Sequence, residues 1–109
     1  GLKNLEKMSS LELNEKGTEY AKSGNLKLAE NYFKKSIKKD YKYRFAYYNL
    51  ALLYSQKNNC KLVSEIIREF LKHYPNDERM KNIIEKISLK CKIDTKKFNE
   101  EIKTIRRGF

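Results

Sequence analysis

SLELNEKGTEYAKSGNLKLAENYFKKSIKKDYKY, residues 10–43, and RFAYYNLALLYSQKNNCKLVSEIIREFLKHYPND, residues 44–77, can be laid over one another without a gap. At this 34-residue offset the matched positions agree in size and polarity: Leu13 falls on Tyr47, Gly17 on Ala51, Tyr20 on Tyr54, Leu28 on Leu62, Ala29 on Val63 and Phe33 on Ile67. The turns coincide as well, Gly24-Asn25 on Asn58-Asn59. Self-similarity at such a period marks a helical repeat, in which each unit buries its apolar face against the next. Stacked helix pairs build a surface for a partner and ordinarily carry no catalytic apparatus.

The same offset locates the helices. Ser9 or Ser10 can cap a first helix, with Glu12 three residues after Ser9 as a capping box requires. It is predicted to run to about Ser23 with Leu13, Gly17 and Tyr20 on its inward stripe, and Gly24 supplies the left-handed conformation that ends it. Asn25 then caps a second helix reaching about Lys39, whose stripe is Leu28, Ala29, Phe33, Ser36 and Ile37. The second pair repeats the design over 45–57 and 59–73, with Asn58 standing where Gly24 stood, because Asn tolerates the left-handed region best after Gly. Pro75 closes that pair in a linker, where a missing amide proton costs little.

A fifth helix from Asp77 to about Cys91 carries Met80, Ile83, Ile84 and Ile87, and Asp94 or Thr95 caps a sixth with Phe98, Ile102 and Ile105 inward, ending at Arg106-Arg107-Gly108. Their apolar positions slip out of register with the first two pairs. Residues 78–109 therefore read as a degenerate third repeat or as capping helices, which an array needs to end its stacked core in water. Ahead of Ser9, Leu2, Leu5 and Met8 recur at helical spacing, so 1–9 reads as a leader or the end of a preceding helix. One domain is expected for 109 residues. A single Pro, four Gly and few β-branched runs make it all-α.

These positions resemble the tetratricopeptide repeat family. Its pattern of a bulky residue, then Gly or Ala, Tyr, Ala and Phe, with Pro in the linker, is met by Leu13, Gly17, Tyr20, Ala29 and Phe33, and again by Tyr47, Ala51, Tyr54, Val63, Ile67 and Pro75. The departures are Lys16 where an apolar residue is usual, Tyr41 in place of Pro, and Val63 in place of Ala. The resemblance implies a right-handed superhelical array of antiparallel helix pairs, about six helices here. It also implies a non-catalytic scaffold or adaptor whose first helices line a concave groove for a segment of another protein. Projected on the repeat, the groove residues are Asn14, Thr18, Lys22, Tyr48, Asn49, Leu52 and Gln56, continued by Arg79, Asn82 and Lys86. Such a polar face with a positive end fits an acidic or extended polypeptide. Family members that capture acidic chaperone tails use a carboxylate clamp of Lys and Asn, then Asn, then Lys and Arg. This chain keeps Asn49 and a basic Arg79 but has Asn14 for the Lys, Thr18 for the first Asn and Ile83 for the Arg, so the paired cations are missing.

The net charge of +11 arises from 25 basic against 14 acidic side chains and favours acidic partners. Lys-rich usage of this kind also resembles proteins of AT-rich genomes, where Lys simply solvates helix faces. In Lys38 to Tyr48 basic residues alternate with aromatics, as on a single-stranded nucleic-acid platform. Tyr47 already has a core place in the repeat and Tyr41 a linker place. A protein partner is therefore expected over nucleic acid, with Lys34, Lys35, Lys38, Lys39, Lys42 and Arg44 as the basic nucleic-acid or anionic-surface site of the alternative reading.

No enzyme, metal or cofactor is expected: His73 stands alone, Glu100-Glu101 point to different faces of a helix, and no phosphate loop or nucleophile with a base can be assembled. Cys60 begins the fourth helix and Cys91 ends the fifth, so a disulfide can form if their Cα atoms come within about 7 Å. Two reduced, partly buried thiols are the simpler expectation. No apolar stretch approaches the roughly 18 residues of a membrane span. The start at Gly1 rather than Met leads us to expect a fragment, cytoplasmic or, with an upstream signal or anchor removed, from the bacterial cell envelope. Exposed terminal helices can pair such chains into a homodimer.

Overall fold

A computed structural model describes residues 7–94 together with 96, 97, 99, 100 and 103. Among the described residues are five helices and no strand: α1 (Ser10–Lys22), α2 (Leu26–Lys39), α3 (Arg44–Gln56), α4 (Cys60–His73) and α5 (Glu78–Ile87). They fall into two compact units, 1–53 and 54–109.

Local chemistry starts these helices, and stops the first four of them, close to the expected places. Ser9 caps α1: its hydroxyl accepts from the Glu12 N–H at 3.1 Å while the Glu12 carboxylate accepts from the Ser9 N–H at 3.2 Å. After α1 the Asn25 N–H reaches the Tyr20 carbonyl at 2.9 Å and the Gly24 N–H reaches Ala21 at 3.1 Å, closing a Schellman turn around Gly24 at φ 86°. Asn25 then caps α2 by accepting from the Leu28 N–H at 3.2 Å. In the second unit the turn after α3 is built the same way. Asn59 N–H bonds Tyr54, Asn58 N–H bonds Ser55, Asn58 takes φ 59°, and Asn59 accepts from the Leu62 N–H at 3.2 Å. Asp77 caps α5 through the Met80 N–H at 2.9 Å.

In the first unit α1 and α2 pack antiparallel. Ser10 meets Ser36, Gly17 meets Phe33 and Tyr20 stacks on Tyr32 with ring centroids 5.3 Å apart, so contacts advance along one helix as they retreat along the other. The Ser10 hydroxyl donates to the Ser36 carbonyl at 2.9 Å, and the Ser36 hydroxyl donates to the Ser10 carbonyl at 2.7 Å. This reciprocal pair explains a serine on the buried stripe of α2, because each hydroxyl satisfies a carbonyl of the facing helix. Leu13, Ala29 and Phe33 are buried beside it, as are Ala46, Tyr47, Leu50, Ala51 and Leu53 of α3. Leu28 departs from the expected stripe and is exposed. At 100° per residue it falls on the face of Tyr32 rather than that of Ala29 and Phe33.

The second unit buries Val63, Ile67, Phe70 and Leu71 of α4 and Met80, Ile83 and Ile87 of α5. A short linker through Pro75 joins one end of these helices, and a disulfide joins the other. Cys60, the first residue of α4, and Cys91, buried just beyond α5, are bonded with sulfurs 2.04 Å apart and Cα atoms 5.3 Å apart, in place of two reduced thiols. The helix stops at Ile87 rather than continuing to Cys91: Ser88 caps it, and the Ile87 carbonyl accepts from both the Lys90 and Cys91 N–H groups, which turns the chain inward. Asp94 accepts from the Lys97 N–H at 2.9 Å, and the described residues beyond it are helical. Leu2 and Leu5 of the leader, and Thr95, Phe98, Ile102, Ile105 and Arg106-Arg107-Gly108 of the sixth helix, lie outside the described residues.

Two outcomes follow from this packing. A Cβ on Gly17 would stand 2.6 Å from two ring carbons of the buried Phe33. Gly17→Ala, which would gain about 1 kcal/mol in an open helix, should instead lower the unfolding free energy by about 1–2 kcal/mol, read as a lower denaturant midpoint. Cysteines separated by 31 positions close a loop worth about 3–4 kcal/mol in the chain-entropy account. Reduction should lower the melting temperature accordingly, and no thiol should titrate in the native or unfolded chain without reductant.

Candidate partner-binding site

Six of the expected groove residues lie in the first unit, three on α1 and three on α3. The structure brings two of them together from different helices: the Asn49 side-chain N–H donates to the Asn14 side-chain oxygen at 2.9 Å. Asn14 is buried, and it is engaged at three points. Its backbone carbonyl also accepts from the Thr18 hydroxyl at 3.0 Å, one turn further along α1. Its side chain also bonds the phenol of Tyr43, in the loop before α3. That bond favours the charged phenolate, so Asn14 links Asn49 of α3 on one side and the Tyr43 phenol on the other.

This arrangement redistributes the roles read from the repeat. Asn14 faces inward as a tie between α1 and α3, and Tyr48 is buried with its ring edge-on to Phe45 at 5.8 Å. What remains outward on this face is half-buried Asn49 and Thr18, exposed Lys22, and Leu52, 41 % of whose surface is open to water. In the second unit Gln56, Arg79, Asn82 and Lys86 are all exposed. Arg79, Asn82 and Lys86 share one face of α5 by their spacing, flanking the buried stripe of Met80, Ile83 and Ile87. Ile83, at the position of a clamp arginine, points into the core.

Two residues that the repeat does not single out matter here. Tyr43 aligns with Asp77, a helix cap, so the period assigns it no surface role. Phe45 aligns with Leu11, outside the repeat's core columns. The signal lies in their crowding, since Tyr43, Phe45 and Tyr48 form a row of edge-on rings with centroids 5.5 and 5.8 Å apart. Among the described residues no group of three His, Cys, Asp or Glu side chains could hold a metal ion. No family model, curated protein or solved structure matches this chain.

Burial pushes the Tyr43 phenol above its ordinary value, the Asn14 bond pulls it back, and the charge of Glu15 adds to the rise. A phenol raised in the fold stabilises the chain below the ordinary tyrosine range, and that contribution is lost as pH climbs through the raised value. The ultraviolet titration difference between the wild type and Tyr43→Phe should place this phenol above an ordinary tyrosine. Asn14→Ala, which removes the hydrogen bond that favours the phenolate, should raise it further. A downward shift in that variant would show that Asn14 favours the neutral phenol instead.

Proposed function

We propose that the chain is a non-catalytic protein–protein interaction module of the tetratricopeptide kind, an array of antiparallel helix pairs whose first helices present a face to an extended segment of another protein. The observation that carries this reading is the Asn49–Asn14 bond, which sets α1 and α3, the first helices of the two repeats, side by side. The half-buried amide of Asn49 beside Leu52 and Thr18 combines a group that can pair with a peptide backbone with an apolar contact for a side chain. The identical turns around Gly24 and Asn58 support the repeat beneath it. A segment carrying acidic residues is favoured by the net charge of +11 and by Lys22 at the end of α1.

Panning a random linear peptide library on the full chain tests the reading. Acidic, extended peptides should be enriched, and Leu52→Glu, a change at an exposed site, should weaken them about tenfold, or about 1.4 kcal/mol, with the melting temperature unchanged. Enrichment of no peptide, or peptides that bind Leu52→Glu as well as the wild type, would refute it.

A further inference from the structure

One end of the first unit collects apolar side chains that the fold leaves in water. α1 begins there, tied through Ser10 to Ser36 in the last turn of α2. α2 ends there at Lys39, and α3 starts there at Arg44 after a four-residue loop. Leu11 is 53 % exposed, Tyr41 51 % and Phe45 47 %. Leu11 and Phe45 hold the same position in the two repeats, each the second residue of its helix, so the exposure recurs with the period. An apolar residue kept outside twice at one repeat position is a surface property, because core columns in the same repeats are filled by buried residues.

The cations at this end surround that apolar set. Lys38 and Lys39 close α2, Lys42 lies in the loop and Arg44 opens α3, and all four are exposed. The acidic groups at the same end are Glu12, Glu15 and Asp40. Of these, Glu12 is engaged by the Ser9 N–H and Asp40 by the Lys42 N–H. Farther along α2, Lys34 pairs with Glu30 at 2.8 Å and Lys35 sits over the Tyr32 ring at 5.3 Å.

The geometry points to a peripheral docking patch for an anionic lipid surface: Leu11, Tyr41 and Phe45 enter the headgroup layer while the four cations at this end meet the lipid anions. Neither half suffices alone, since weak apolar insertion becomes stable attachment when a basic patch adds to it. Each cation near an anionic bilayer is worth about a fivefold gain in partitioning. A single-stranded nucleic acid fits less well. Of the aromatics in this segment Tyr47 and Tyr48 are buried, Phe45 is held edge-on by two neighbours, and Lys42 sits over Tyr41 at 6.0 Å, so no row of open ring faces is offered for base stacking. The aliphatic Leu11 has no part in such a platform but is an ordinary interfacial anchor.

None of these residues belongs to the peptide-binding face, so this proposal stands or falls separately from that function. Co-sedimentation of the full chain with phosphatidylcholine vesicles, with and without phosphatidylserine, tests it, with a poly-dT oligonucleotide and poly-glutamate as soluble polyanions. Binding should require phosphatidylserine and weaken in high salt. The triple variant Lys38→Gln, Lys39→Gln, Lys42→Gln should lose about 100-fold in partitioning. Leu11→Ser with Tyr41→Ser, both exposed sites, should lose about tenfold with the melting temperature unchanged. No binding to anionic vesicles overturns the proposal. So does binding that ignores the Leu11 and Tyr41 changes, and so does tighter binding to either soluble polyanion than to the vesicles.

Discussion

How closely two helices approach depends on the smallest side chain at their crossing, and for α1 and α2 that is the hydrogen of Gly17. The ring of Phe33 occupies the space a Cβ would need, 2.6 Å from its position, so the aromatic that fills the interface also sets its thickness. At that separation the Ser10 and Ser36 hydroxyls reach each other's carbonyls, and Tyr20 can stack on Tyr32. A wider spacing would strand both hydroxyls and open a void along the stripe, since interiors pack like crystals rather than like oil. Hydrogen bonding and close packing here are therefore two readings of one distance.

A second constraint is polar. Asn14 would be costly in the interior without partners, and it receives them from two directions, Asn49 on α3 and Tyr43 in the loop before it. A satisfied amide contributes modestly to net stability, yet an unsatisfied one is penalised in every alternative packing. The effect is to select one register of α3 against α1. The outward half of Asn49 then has a fixed place, which a recognition surface requires if it is not to order itself anew with each ligand.

Much of this was legible in the sequence because the deciding interactions are local. The Ser9–Glu12 capping box, the Gly24 and Asn58 turns, and the caps at Asn25, Asn59 and Asp77 each involve residues a few positions apart. The chain spells them out. Period placed the buried Leu13, Ala29, Phe33, Tyr47, Val63 and Ile67, but Tyr20, Ile37 and Ile84 are only half-buried and Leu28 is exposed, since one residue of phase moves a side chain by 100°. The site was less legible. Asn14 and Tyr48 hold groove positions in the repeat but turn inward, because their neighbours Asn49, Tyr43 and Phe45 come from distant or unaligned positions. Cys60 was correctly placed at the start of α4, whereas Cys91 lies beyond the end of α5 rather than at it. Whether their sulfurs meet depended on where α5 stops, and the turn at Ser88 decides that.

Gly17 and Gly24 resist L-residues for opposite reasons, and the difference is one of handedness. At Gly17 the backbone is ordinary helix, and the obstacle to a Cβ is the Phe33 ring 2.6 Å from its position. At Gly24 an added carbon would meet nothing within 4 Å, so the only obstacle is the φ of 86°, which L-residues avoid. A D-residue prefers that half of the backbone map. A chain assembled by chemical ligation with D-alanine at 24 would keep its turn and lose some of the unfolded chain's freedom. One glycine is thus a requirement for volume, and the other is a requirement for chirality alone.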